Sequence, residues 1–371
     1  MINIIIFVLF ILAIAVLVYK DRKNVKREGI VIIRRTKKGK KFIDKIAKSH
    51  PKFWNFVSYA VVIAAIPAMI GSSYLIIDSL LKTLSAGGGG AVRLVLPWAS
   101  PQAELVTGAI LVPWYFWVIG IFSVLVPHEM FHGIMSRLEK IKIESLGWVL
   151  FVILPGAFVE PNEKKLKNAK VLTRLKVYGA GSFANFIMAG LFFGILTLFG
   201  FLFFTAGGVV PSGAIEGYPA AQANISGAIV GINDIDVDTL QDLRVALEKT
   251  EPGESILLRT TTGNYTLKTV EDPDNGTKAF IGISGPFETY TVPAIESFSG
   301  VLSFFRQLFA WIFILNLGIG LVNMLPIKPL DGGIFLESVL SKYTKKSEAI
   351  IKYISIIMAL ILIFTIFSGF F

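Results

Sequence analysis

Six runs of about 20 mostly apolar residues dominate this 371-residue chain, and each is long enough to cross the ~30 Å hydrocarbon layer of a bilayer. They fall at residues 2 to 19, 54 to 81, 109 to 136, 177 to 205, 300 to 325 and 347 to 370. A bilayer core offers no water to backbone N–H and C=O groups, so each run must satisfy its own backbone by folding as a helix. With 54% hydrophobic residues and a mean hydropathy of +0.67, a purely soluble globule is excluded. The expected fold is an α-helical polytopic membrane protein with about six transmembrane helices. The first run is followed, not preceded, by positive charge at Lys20, Arg22 and Lys23, and small-residue cleavage chemistry is missing. It is therefore expected to stay as a span.

Charge sets an expected orientation. Residues 20–52 carry 14 Lys or Arg against 3 acids, residues 137–176 carry 9 against 4, and residues 328–352 carry 5 against 3. The positive-inside bias places these three alternating segments in the cytoplasm and both termini outside. Residues 206–299 are different in kind, with 13 Asp or Glu against 5 Lys or Arg, strand-like alternation, and turn signals at Glu251-Pro252-Gly253 and Thr262-Gly263-Asn264. They read as an inserted acidic α/β domain, outside the membrane on the side away from the basic loops. The sequons at Asn224, Asn264 and Asn275 all lie in it. The net charge of +10 is thus a consequence of topology, and no basic patch suggests nucleic acid. The expected organisation is N-terminal spans and a basic loop over 1–108, a first half of a membrane core over 109–205, the acidic domain over 206–299, and the second half of the core with a last span over 300–371. Gly87 to Gly90 and Pro97 to Pro101 read as loop. Residues 145–159, apolar but short and broken by Pro155-Gly156, read as a segment that dips into the membrane. The basic stretch 20–52 reads as a surface helix or hairpin drawn to anionic lipid, or as a topology signal alone.

The chemistry is concentrated in His128-Glu129-Met130-Phe131-His132, which uses two of the chain's three histidines. At i and i+4 on a helix, His128 and His132 present their imidazoles one turn apart toward a single zinc ion, and Glu129 adjoins the position of its water as general base. With no cysteine in the chain, disulfides and thiolate ligands are excluded. A third ligand must then be His, Asp or Glu. Asp331 is the candidate, in Asn323-Met-Leu-Pro326-Ile-Lys-Pro329-Leu330-Asp331-Gly332-Gly333, because topology brings it to the membrane side of His132. Other readings stay open: polar groups that only pack or line a pore, a metal transport or storage site, and a plain turn at Asp331-Gly332. His50, beside Pro51, carries no motif.

Together, H-E-x-x-H on one span and N-x-x-P-x-x-x-L-D-G on a later one make the chain resemble the site-2 proteases, a family of intramembrane zinc metalloproteases. A G-x-x-x-N element between the two is matched by Gly181-Ser-Phe-Ala-Asn185, with Gly179 close by. The resemblance implies that His128, His132 and Asp331 bind one Zn2+ per chain, that Glu129 is the catalytic acid/base, and that Asn185 and Asn323 contact substrate backbone or hold the site together. It implies hydrolysis of peptide bonds within the transmembrane segments of single-span membrane proteins, in the cell membrane, with the site toward the cytoplasm. The acidic domain resembles an inserted PDZ domain, with Gly217-Tyr218-Pro219-Ala220 as a loop that binds a peptide segment or chain terminus. The alternative is a membrane-anchored PDZ adaptor whose zinc site is vestigial or structural.

Overall fold

The computed structural model describes residues 2–86, 92–100, 103–151, 154–273, 275–285 and 288–370. They divide into two compact units, one made of residues up to 195 together with those from 307 onward, the other of residues 196–306. In chain order the first unit begins with α1 (Ile2–Lys20), a hairpin of β1 (Val25–Glu28) and β2 (Val31–Thr36), α2 (Lys40–Ser49) and α3 (Pro51–Ala86). There follow β3 (Leu94–Trp98), β4 (Glu104–Val106), β5 (Ala109–Pro113), α4 (Trp114–Leu138), β6 (Ile143–Phe151), β7 (Leu154–Pro161), α5 (Glu163–Lys167), α6 (Val171–Tyr178) and α7 (Ala180–Phe203). The second unit contains β8 (Phe204–Val210), β9 (Gly213–Ala214), α8 (Pro219–Gln222), β10 (Ile229–Ile232), β11 (Ile235–Asp236), α9 (Leu240–Glu248), β12 (Ser255–Thr260), β13 (Asn264–Lys268), β14 (Val270–Glu271), β15 (Ala279–Phe280), β16 (Ile283–Ser284) and β17 (Glu288–Pro293). The chain then returns through α10 (Ser299–Asn323), α11 (Asp331–Leu340) and α12 (Ser347–Phe367).

Among the described residues, six helices are long and apolar enough to cross a membrane: α1, α3, α4, α7, α10 and α12. The third starts later than its apolar run, because Ala109–Pro113 pairs in parallel with Leu94–Trp98 and antiparallel with Glu104–Val106. Pro113, lacking an N–H and lying just before the helix, marks the switch from strand to helix. This small sheet also corrects the loop expected at Pro97 to Pro101. Pro97 lies in β3, an edge strand, where a missing donor is tolerated, and Pro101 and Gly87 to Gly90 lie outside the described residues.

The broken apolar segment at 145–159 is a hairpin of β6 and β7, and the first part of the basic stretch joins it. The sheet order is β1-β2-β6-β7, with Val31–Thr36 running antiparallel to Leu146–Phe151. β7 is therefore an edge. Gly147 is required where the strands cross α-carbon to carbonyl, since a Cβ there would lie 2.2 Å from the Arg34 carbonyl oxygen. The main core of this unit stacks Ile43 and Ala47 of α2, Trp54, Val57 and Val61 of α3, Ile134 and Met135 of α4, and Val177 of α6. At about 25 cal/mol per Å2 of apolar area removed from water, these side chains fix α2, α3 and α6 around the second half of α4.

In the second unit the sheet runs β13-β12-β10-β8-β17, with antiparallel pairing throughout. β12 alternates as its period of 2 demands, with Ile256 and Leu258 buried against Ile229, Ile232, Leu243 and Ile281. α9 opens on a capping box in which the Thr239 side chain accepts from the Asp242 N–H and the Asp242 carboxylate accepts from the Thr239 N–H.

Candidate active site

The apolar run of α4 brings Pro127, His128, Glu129 and His132 into one helix, with Pro127 unable to donate to the carbonyl of Ser123. His128 is buried, and the two ring Nε2 atoms lie 3.2 Å apart. Asp331, the first residue of α11, completes a triangle, its Oδ2 lying 3.3 Å from His128 Nε2 and 3.2 Å from His132 Nε2. Ligands bound at about 2.0 to 2.1 Å in a tetrahedron stand about 3.3 Å from one another, so the three edges match those of a zinc site. Asp331 Oδ2 is buried and has no hydrogen-bond partner among the described residues, as expected of an oxygen aimed at a cation. These residues fit a metal ion.

The far side of each imidazole is held as well. The Val177 carbonyl, at the end of α6, lies 2.7 Å from His132 Nδ1 and accepts its proton, which leaves the lone pair on Nε2. The Asn185 Nδ2 of α7 lies 3.1 Å from His128 Nδ1, while the buried Asn185 Oδ1 has no hydrogen-bond partner among the described residues, so the amide is better satisfied with its oxygen and nitrogen exchanged. With that oxygen turned to the ring, both groups are satisfied and His128 also carries its lone pair on Nε2. Glu129 Oε2 accepts from the Val159 N–H of β7 at 2.6 Å, which ties the glutamate to the edge strand.

Glycines let the backbones close on this point. A Cβ at Gly181 would lie 2.4 Å from Nε2 of both His128 and His132, whereas one at Gly179 would meet Val61 at 3.0 Å. Gly181 is thus the glycine of the G-x-x-x-N element that faces the site. Gly332 and Gly333 follow Asp331 because α11 starts against the Met324–Lys328 backbone, where a Cβ at Gly332 would lie 2.2 Å from the Met324 carbonyl oxygen.

Asn323 ends α10, half-buried, with no side-chain hydrogen bond among the described residues. Asn316, which motif reading passed over, is fully buried on α10 and donates to Ser123 Oγ at 2.9 Å and to the Ile312 carbonyl at 2.8 Å. Its neighbours Asn-Leu-Gly-Ile-Gly, polar and small within an apolar helix, were the available signal. Sequence reading also passed over Lys176, buried on α6, whose Nζ lies 2.9 Å from Glu139 Oε1 and over the Tyr59 ring. In the second unit, Gly217 takes φ +85°, the Tyr218 N–H donates to Ile215, Pro219 has no N–H, and Ala220 is buried with its N–H donating to Ile281. The backbone N–H groups of Tyr218 and Ala220 are thus both engaged within the unit.

Two imidazoles and a carboxylate converge at metal-ligand spacing beside a glutamate, a cluster that could hold a metal ion, in a chain with six helices long and apolar enough to cross a membrane. The family comparison agrees: a model described as peptidase family M50 matches residues 116–365, and the chain belongs to this family of peptidases, the site-2 proteases, which are zinc-dependent. An uncharacterized protein of Methanocaldococcus jannaschii is 27% identical over 318 residues, covering 84% of this chain and 79% of the relative.

Proposed function

We propose that the chain is an intramembrane zinc metalloendopeptidase that cuts the transmembrane segments of single-span membrane proteins. The observation that carries this reading is the triangle of His128, His132 and Asp331 with edges of 3.2 to 3.3 Å, next to Glu129. His128, His132 and Asp331 hold one Zn2+, and Val177 and Asn185 keep the two imidazoles in the binding tautomer. A zinc ion held there supplies a Lewis acid that polarises a carbonyl and lowers the pKa of a water toward ~7. Glu129 takes the proton of the attacking water and later delivers one to the departing amine. The Val159 N–H fixes the carboxylate for both transfers. A helical substrate hides its carbonyls in its own hydrogen bonds, and the free edge of β7 offers an extended segment a strand to pair with beside Glu129.

In this reading the protein is a multi-pass protein of the cell membrane with its site toward the cytoplasm, and the acidic unit is a PDZ-like domain on the outer side. Asn323, half-buried at the end of α10 with no side-chain hydrogen bond among the described residues, contacts substrate backbone in this reading. In the test, cleavage of a panel of single-span substrates by purified protein is compared with that by Glu129→Gln. The reading expects cleavage by the wild type, abolished in Glu129→Gln with bound zinc unchanged. Equal cleavage by the two proteins would overturn it, and zinc bound without any cleavage would favour an adaptor.

A further inference from the structure

α2 is built as two opposed stripes. Ile43 and Ala47 are buried, and Ile43 fills the space over Gly133, where a Cβ would lie 2.9 Å from its Cδ1. On the opposite side Lys41, Lys45 and Lys48, spaced i, i+4 and i+7, are all exposed. The one acid of the helix, Asp44, is engaged by Arg137 of α4, and none of the three lysines has an acidic partner among the described residues. Like charges at this spacing repel one another, so the stripe is a cost to the isolated chain. An anionic surface removes that cost.

The position of α2 says which surface. It ends at Ser49, and the span of α3 begins at Pro51, so the stripe's last lysine lies three residues before the start of a candidate membrane span. Phe42, beside Lys41, is 57% exposed and supplies an apolar side chain at the same level. A nucleic acid or an acidic protein would match the charge but would leave Phe42 and the adjoining span unused.

We propose that α2 is a binding surface for anionic lipid, with Lys41, Lys45 and Lys48 taking the phosphate groups and Phe42 entering the interface. Because Ile43 rests on Gly133, the residue after His132, the lipid lies directly behind the helix that carries the metal site. A lysine at an anionic bilayer surface contributes about five-fold in affinity, so loss of three is expected to weaken binding on the order of 100-fold at low salt.

The test uses the full chain in phosphatidylcholine bilayers and follows energy transfer from its tryptophans to a dansyl-labelled phosphatidylglycerol, with dansyl-phosphatidylcholine as reference. The wild type is expected to prefer phosphatidylglycerol, and K41Q/K45Q/K48Q to lose the preference, since Gln keeps the helix propensity while removing charge. K41R/K45R/K48R is expected to retain it, and millimolar inorganic phosphate to leave it intact. Equal preference in wild type and the Gln variant would overturn the proposal. So would displacement of the lipid by inorganic phosphate, which would assign the stripe to a free anion, or by RNA at matched charge.

Discussion

Gly181→Ala is the substitution whose effect follows most directly from the geometry. The added Cβ would lie 2.4 Å from Nε2 of both His128 and His132, about 1 Å inside ordinary contact distance. Neither ring is free to swing away, because Val177 holds Nδ1 of His132 and Asn185 faces Nδ1 of His128. Metal–ligand bonds tolerate about 0.2 Å, so a shift of that size removes at least one ligand. Disturbing an outer-shell partner alone costs about 10- to 100-fold in metal affinity, and this change, which displaces the ligands themselves, is expected to cost more than ~100-fold. The helix is not at risk, since Ala is a better helix former than Gly. The assay is competition for zinc against a chelator, with Gly190→Ala on the same helix as control, because a Cβ at Gly190 meets nothing within 4 Å. Wild-type zinc affinity in Gly181→Ala would refute the reasoning.

Three further outcomes follow from particular contacts. Lys176→Met removes the partner of Glu139, whose side chain is 18% exposed beside a Lys176 at 6%, and is expected to cost about 3–5 kcal/mol, seen as a thermal midpoint lower by on the order of 10 °C. The double variant Lys176→Met with Glu139→Gln should recover part of the loss. Asn185→Leu keeps the three ligands but frees His128 Nδ1, and chelator competition should show zinc affinity down about 10- to 100-fold. Asp242 is held below the usual carboxylate range by the hydroxyl and N–H of Thr239, so its contribution to the start of α9 is present above the unfolded carboxylate pKa and is lost as pH falls through the folded one. Limited proteolysis of the full chain should show residues 240–248 becoming more susceptible from pH 5 to pH 3, and Asp242→Asn should be less sensitive to that change.

The six long helices could be read from apolar run length, because a bilayer makes length and composition nearly sufficient. His128, Glu129, His132 and Asp331 were legible for a related reason: their chemistry lies in side chains at fixed spacing. What the sequence concealed is mostly backbone. The groups that orient the site, the Val177 carbonyl and the Val159 N–H, belong to residues whose side chains say nothing about them. The sheet order β1-β2-β6-β7 joins strands more than 100 residues apart, a pairing that no local pattern encodes. Ala109–Pro113 carries the same apolar signal as the helix after it and is a strand only because Leu94–Trp98 lies beside it. Two glycines near Asn185 look alike on paper, and only the direction of their missing Cβ atoms separates Gly181 from Gly179. In the Gly217–Ala220 turn, too, the residues show nothing of their backbone partners, the Ile215 and Ile281 carbonyls that accept from Tyr218 and Ala220.

The most direct measurement of the central claim is zinc-edge X-ray absorption on the purified wild-type protein and on Asp331→Ala. The account predicts one zinc per chain with only nitrogen and oxygen neighbours at about 2.0 to 2.2 Å and the scattering pattern of two imidazoles, and a loss of zinc or of one oxygen neighbour in Asp331→Ala. A wild type that binds no zinc, or a zinc whose neighbours are unchanged when Asp331 is removed, would contradict it.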